Sequence, residues 1–240
     1  MSDQHVHLEF VPLHGESFTI AYADDLAEFF FRANASASGE GSYDEWTLSA
    51  HDPNRITAGD ITAVNRTMAA RTAPKRWTSF TESVEDAGWL SALDLGWDLF
   101  AMPEGEWLRH GVQTRLGDAF KAVMGPYRGA AVATKVLHIK RPRLIPVCDS
   151  YVARTMCVQL WDSADWHSLL ALVVHLRKQG RANAEGLRVI RERLRAAGFE
   201  RTAVRILDAL LWMHAGDSGP YAAFSAWLAL QEERDRPTRP

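Results

Sequence analysis

Apolar residues recur every three or four positions along most of the chain, which is the spacing of one buried face of an α-helix. Proline and glycine interrupt this periodicity and divide it into separate helices. The pattern predicts helices at 24–32, 57–71, 82–102, 107–124, 129–140, 150–160, 163–180, 184–197 and 202–215. A further segment, 220–231, closes the fold, and we expect the charged tail after it to fray.

Little of the chain carries the alternating pattern of a β-strand. Val6, Leu8 and Phe10 alternate with other residues and predict a brief strand or an extended arm within 5–22. Residues 33–55 are small and polar, which predicts a loop. We therefore expect an all-α fold with little or no strand, built as a single compact helical unit over all 240 residues.

Charge is distributed unevenly along the chain. The net charge is −3, but residues 1–108 carry a balance of −12 and residues 109–240 a balance of +9. Two interpretations are open. An anionic partner binds the basic second part, or the two parts attract each other across a shared core.

The basic part contains a distinctive stretch at 125–152. It opens with a Gly-Pro turn, continues as a helix of small residues, and ends on Asp149, just before a new helical pattern. An acid at such a position usually caps the helix that follows. The alternative is a catalytic carboxylate facing a cleft, held by the apolar run 144–148 and preceded by the basic pair Arg141 and Arg143.

This stretch resembles the hairpin-and-aspartate core of the helix-hairpin-helix DNA glycosylases. Pro126 and Gly129 match the proline and second glycine of the family's hairpin. The run 145–149 and Val152 match the phrase that carries the catalytic aspartate. The interval of twenty residues from Gly129 to Asp149 is also the interval that the family uses.

Three positions depart from the family's pattern. Tyr127 replaces the first glycine of the hairpin, Gly125 replaces its leading apolar residue, and Ala131 stands where bifunctional members carry their lyase lysine. The resemblance therefore implies a monofunctional glycosylase or a relative that has lost catalysis. The chain is also similar to a group of uncharacterised bacterial proteins of about this length, over the phrase at 135–149.

The resemblance implies a two-lobed helical fold that binds DNA and hydrolyses an N-glycosidic bond, with Asp149 as the essential carboxylate. The nucleic-acid contacts that it implies are Tyr127, Arg128, Gly129, Lys135, Lys140, Arg141, Arg143 and Tyr151. The alternative is a non-catalytic helical binding or regulatory protein on the same scaffold. In that case the cations satisfy helix carbonyl groups and the tyrosines pack in the core.

Other chemistry is not predicted. We expect no cofactor and no metal site, because His5 and His7 lack a third ligand. His138 is expected to be a packed histidine, with a general base as the alternative. Cys148 and Cys157 are expected to be free thiols, with Cys148 buried and unreactive. The sequence shows no apolar run of about 18 residues and no signal peptide, so we expect a cytoplasmic protein without a membrane partner.

Overall fold

A computed structural model describes residues 5–38, 44, 47, 52–67, 72–82, 88–126, 128–160, 165–215 and 224–226. An antiparallel hairpin of β1 (Leu8–Phe10) and β2 (Phe18–Ile20) precedes the helices. The helices are α1 (Ala23–Ser38), α2 (Ala58–Thr67), α3 (Thr78–Thr81), α4 (Gly88–Ser91), α5 (Glu104–Arg109), α6 (Val112–Val123), α7 (Ala130–Lys140), α8 (Ser150–Thr155), α9 (Trp166–Ala182), α10 (Ala184–Ala196) and α11 (Ala203–His214). A 3₁₀ turn, Pro74–Arg76, lies between α2 and α3.

The prediction of an all-α fold is confirmed, because helices dominate the part of the chain that the structure describes. The brief strand predicted near the N-terminus is β1. The edge of β1 that faces away from β2 is bonded to side chains of α9 and of Asn183, which follows α9. Val11 donates its N–H to Gln179 Oε1 at 2.9 Å, and Glu9 donates its N–H to Asn183 Oδ1 at 3.1 Å. The strand therefore pairs with β2 on one side and with these side chains on the other.

The first helix is longer than predicted. Residues 33–38, whose polarity indicated a loop, continue α1. They are alternately alanine and small polar residues, and alanine is the strongest helix former. The Asn34 amide donates to the Phe30 carbonyl at 2.8 Å, one turn back. Most of the remaining predicted loop lies outside the described residues.

The prediction of one long helix at 82–102 is wrong. Only the short α4 is helical among the described residues between position 82 and position 102, and turns follow it. The guanidinium of Arg141 donates to the carbonyl oxygens of Leu90 and Leu93, and Leu90 also accepts the Leu93 N–H at 3.1 Å, a three-residue turn that closes the short helix. The Asp98 carboxylate accepts two backbone N–H groups just after it, which also favours a turn over a helix.

Residues with left-handed backbone conformations divide or end two further predicted helices. The pattern at 107–124 forms α5 and α6, separated by Gly111 with φ 58°. Helix α8 ends earlier than predicted, because Cys157 has φ 53° and Val158 donates its N–H back to the Ala153 carbonyl at 2.8 Å. This is the usual closure of a helix C-terminus.

The remaining helix predictions are confirmed to within a few residues over the described residues, and most of 220–231 lies outside them. A cluster of buried apolar side chains draws on β1, β2 and nearly all the longer helices. Helix α9 packs on α6, α7 packs on α2, and α11 packs against α1, α8 and α10. The loop between α7 and α8, which ends at Asp149, is thus held between packed helices.

Two adjacent cations, Lys140 and Arg141, join the basic part of the chain to the acidic part. Lys140 Nζ lies 2.6 Å from Asp60 Oδ2, and both side chains are 0% exposed. The Arg141 guanidinium donates to groups of the acidic part: the carbonyl oxygens of Pro53, Leu90 and Leu93 and the side chain of Asn54. Because an unpaired buried charge costs several kcal/mol, these contacts fix α7 and the residue after it against the first half of the chain.

We expect Lys140→Met to lower the free energy of unfolding by about 3–5 kcal/mol, because it leaves the Asp60 carboxylate buried without its cation. Urea denaturation measures this loss. Lys178→Met, at an exposed lysine of α9, is the matched control and should change stability by less than about 0.5 kcal/mol. Equal losses in the two variants would show that the buried ion pair is not specifically needed.

Candidate functional site

The segment from α6 to α7 forms a helix, a tight hairpin and a second helix. Gly125 and Arg128 face each other across the turn, with Arg128 N–H donating to the Gly125 carbonyl at 2.8 Å and Gly125 N–H donating back at 3.3 Å. Gly129 is the N-cap of α7, with φ −67° and ψ 174°. Pro126 is exposed, and Tyr127 lies outside the described residues. The backbone of the hairpin therefore turns outward between two packed helices.

The Arg128 side chain fastens this hairpin to the rest of the molecule. Its Nε donates to the Val123 carbonyl at 2.8 Å, and its Nη1 donates to the Arg76 carbonyl at 2.7 Å. The guanidinium also lies over the rings of Trp77 and Phe80, 5.7 and 5.3 Å from their centroids. Arg128 thus positions the hairpin, and much of its hydrogen-bonding capacity is used within the protein.

The chain reaches Asp149 along a segment with fixed backbone donors. Val147 donates its N–H to Asp208 Oδ2 at 2.9 Å, and Cys148 donates to Thr134 Oγ1 at 3.0 Å. Both bonds are buried, so the two residues before Asp149 are held by α11 and α7.

Asp149 is the N-cap of α8 and is half-buried. Its Oδ1 accepts hydrogen bonds from the N–H groups of Tyr151 at 3.0 Å and Val152 at 3.2 Å. Within the described part of the chain, Oδ2 accepts no hydrogen bond. The carboxylate therefore caps its helix with one oxygen and keeps the other available.

Lys135 interacts electrostatically with this carboxylate. Burial lowers the pKa of its ammonium, and the charge of Asp149 partly offsets that effect. The charge of Arg205 lowers the pKa further, and that of Asp208 raises it. Tyr151 is also half-buried here, with the Trp212 ring 5.8 Å away and the Arg154 guanidinium 5.3 Å from its centroid. The structure thus brings Lys135 and Tyr151 together with Asp149.

Other cations expected at the site lie elsewhere. Lys140 and Arg141 point into the interior, with the partners described above, and are 1% and 2% exposed. Their side chains are therefore not positioned to contact a phosphate, because their partners in the shared core occupy them. Arg143 is exposed and forms an ion pair with Asp98 at 3.3 Å.

A cluster of buried charges beside the Asp149 loop was missed by the sequence analysis. Arg205 donates to Asp44 at 2.7 Å and also pairs with Asp208, which is one helical turn away on α11. Burial raises the pKa of Asp208 to about 7, although the charge of Arg205 opposes the shift. The sequence did carry a signal for this cluster. Arg205 and Asp208 lie three residues apart in an otherwise apolar helix, a spacing that indicates a buried ion pair.

His138 is a packed histidine in this cluster. Its Nδ1 lies 2.6 Å from the Ile145 carbonyl, so the ring donates Nδ1–H to that oxygen. Burial, with the nearby charge of Arg205, lowers the pKa of His138 to about 4. The ring supports the loop that leads to Asp149.

Two surface grooves lie near these elements. One, of about 420 Å³, is lined by Ser150, Ala153, Arg154, Cys157, Val158, Gln159 and Leu160 on α8 and the residues after it. The other, of about 430 Å³, lies between α5, α6 and the start of α9 and includes Trp107, Leu108 and Trp166. Asp149 lines neither of them, although the first groove begins at the residue next to it.

The N-terminal histidines are placed beside acids of α1. His5 Nδ1 lies 2.9 Å from Asp25 Oδ2, and both approach Asp24 within 4.8 Å. Asp24 also pairs with Arg193 of α10, and its Oδ1 accepts the Val6 N–H. These contacts tie the N-terminal arm to α1 and α10.

The fold and the site define a mostly helical protein with a helix-hairpin-helix segment and a capped aspartate. The chain belongs to the family of unknown function DUF6308, whose model matches residues 22–215. Comparisons with curated proteins and with solved structures found no match. No helix among the described residues is long and apolar enough to cross a membrane.

We expect the native chain to react quickly with a thiol reagent at one cysteine only. Cys157 is exposed, whereas Cys148 is buried and burial raises its pKa well above the usual range. Cys148 should react at least about 10³ times more slowly, at a rate that follows unfolding. Absorbance assays on the native chain, the denatured chain and Cys157→Ser measure this, and fast labelling of the native Cys157→Ser chain would contradict the burial of Cys148.

We expect His138 to make the fold sensitive to acid. Its pKa is about 4 in the folded chain against 6.5 for an ordinary histidine, so the unfolded chain binds more protons between these values. Its contribution is fully present above pH 6.5 and is lost as pH falls toward 4, by up to about 3 kcal/mol.

The measurement compares urea unfolding of the wild type and His138→Gln across this pH range. The difference in the free energy of unfolding between wild type and His138→Gln should shrink as pH falls from 6.5 toward 4. Asp208, whose raised pKa has the opposite effect on stability, is present in both proteins. His167→Gln, at an exposed histidine, serves as the control. A constant difference between wild type and His138→Gln would contradict the low pKa.

Proposed function

We propose that this chain binds DNA through α6, the hairpin and α7, and that it hydrolyses an N-glycosidic bond with Asp149 as the essential carboxylate. The observation that carries the proposal is the carboxylate itself. Its Oδ1 is held by two backbone N–H groups, and its Oδ2 has no donor among the described residues. A fixed carboxylate with one available oxygen has the chemistry needed beside a sugar ring.

The distance between the hairpin and Asp149 supports the same proposal. Cys148 is bonded to Thr134, which lies five residues after Gly129 in α7. A helix rises by about 1.5 Å per residue, so Thr134, which holds the residue before Asp149, lies about 7 to 8 Å along α7 from Gly129. A strand anchored at the hairpin by a phosphate would thus present a neighbouring sugar to Asp149.

The reaction requires a nucleotide that is rotated out of the duplex. As the bond between C1′ and the base nitrogen breaks, the base nitrogen takes the bonding electrons and then a proton from solvent. Water forms the new bond to C1′, and Asp149 accepts the proton of that water and afterwards releases it to solvent. The carboxylate also stabilises the positive charge that develops on the sugar in the transition state.

The contacts proposed for DNA are those implied by the resemblance, without the two buried cations Lys140 and Arg141. They are Tyr127, Arg128, Gly129, Lys135, Arg143 and Tyr151. Lys135 supplies a positive charge that interacts with Asp149, and Tyr151 offers an aromatic face two residues after the carboxylate. Lys140 and Arg141 are proposed to act indirectly, by fixing α7 from inside.

A second candidate is a non-catalytic binding or regulatory protein on this scaffold. It is favoured by the cap that Asp149 forms on its own helix and by the absence of Asp149 from the lining of the two grooves described above. In that case the carboxylate stabilises α8 only.

Base release from a panel of duplexes with deaminated or alkylated bases tests the proposal. We expect Asp149→Asn to lower the rate of release by a factor of about 10² to 10⁴ while DNA binding is kept, because asparagine still caps a helix but cannot accept the proton. Asp165→Asn is the matched control, since Asp165 caps α9 through the N–H of Ser168, and it should behave as the wild type.

The possible outcomes separate the two candidates. Binding by the wild type without release of any base would support the non-catalytic protein. An equal fall in base release in both variants would show that the effect is not specific to the carboxylate of Asp149. No binding of DNA at low salt would overturn the nucleic-acid proposal.

A further inference from the structure

The hairpin has basic neighbours that the sequence does not place beside it. One guanidinium, that of Arg128, bonds both the Arg76 carbonyl on the 3₁₀ turn and the Val123 carbonyl at the end of α6. Positions 76 and 128 are 52 residues apart, yet this contact makes them adjacent. The 3₁₀ turn, the end of α6 and the hairpin are therefore adjacent in the fold.

Two lysines stand on this surface, one on either element that Arg128 joins. Lys75 precedes Arg76 on the 3₁₀ turn, and Lys121 lies in the last turn of α6, two residues before Val123. Both lysines are exposed, and neither side chain forms an ion pair or hydrogen bond with the residues that the structure describes. Their charges are thus presented to solvent on the two elements that Arg128 joins.

Among the described residues of the 3₁₀ turn, α3, the last two turns of α6 and the hairpin, the charge balance remains positive after the acids are included. Asp118 lies one turn before Lys121 on α6, and Glu82 follows α3. Against these two acids stand the four cations Lys75, Arg76, Lys121 and Arg128. The cations of the protein stand on different elements and do not converge on one point. They therefore suit an extended polyanion.

We propose that Lys75, Arg76 and Lys121 form, around the hairpin, the surface that docks on the phosphates of duplex DNA. This inference rests on the DNA binding of the proposed function and is independent of its catalytic step. It replaces the electrostatic role that Lys140 and Arg141 would have had, because those two cations are held in the interior by ion pairs and hydrogen bonds. Phosphate contacts of this kind position a protein on the duplex without reading its sequence.

The test is the salt dependence of binding to an undamaged duplex, measured by fluorescence anisotropy. Removal of one phosphate-binding cation should reduce the slope of log Kobs against log salt by about 0.9. The double variant Lys75→Gln/Lys121→Gln should therefore lower the slope by about 2. Lys178→Gln removes one exposed lysine on α9, distant in sequence from the hairpin, and should leave the slope unchanged.

The result separates this inference from the proposed catalysis. A lower slope in the double variant, together with no base release by the wild type, would keep the docking surface and reject the glycosylase. An unchanged slope in a folded double variant would overturn the docking surface, whether or not bases are released. Failure of the wild type to bind the duplex would overturn it as well. Circular dichroism on each variant checks that the fold is retained.

Discussion

Two neighbouring buried cations, Lys140 and Arg141, fix how the chain is assembled. They stand at the end of α7, in the basic part, and their partners belong to the acidic part. An ammonium that is 0% exposed is tolerated only beside a carboxylate such as that of Asp60. The ion pair of Lys140 with Asp60 therefore joins the basic part to the acidic part. This agrees with the interpretation that the two parts attract each other across a shared core.

The same contacts determine the shape of the first half. Arg141 takes the carbonyl oxygens of Leu90 and Leu93, and the chain after α4 turns instead of continuing as a helix. Arg143 follows with its carbonyl bonded to the Leu99 N–H at 2.9 Å. A short basic segment from the second half therefore organises backbone groups some fifty positions earlier. The side chain of Arg141 is occupied by that role.

The candidate site depends on a second buried network. Asp208 and Thr134 each accept one backbone N–H from the two residues before Asp149, and Arg205 holds Asp208 in place. This arrangement delivers the carboxylate to the start of α8 with a defined orientation. The hairpin is fixed separately, through Arg128. The Asp149 loop and the hairpin are thus both held by interior contacts. The exposed lysines Lys75 and Lys121 take no part in these contacts.

The sequence by itself determined the helical class and the positions of the longer helices, because the spacing of apolar residues and the caps at Thr57, Asp165 and Thr202 are local features. It also located Asp149 at a helix start, since an acid before a helical pattern is a local signal.

Only the tertiary structure decided which charges are buried. Nothing local distinguishes Lys140 from Lys121, or Arg141 from Arg143, because each difference lies in a partner that is distant in sequence. For the same reason the broken helix after α4 and the contact of the hairpin with the 3₁₀ turn follow from the packing of distant segments, which the order of residues does not display.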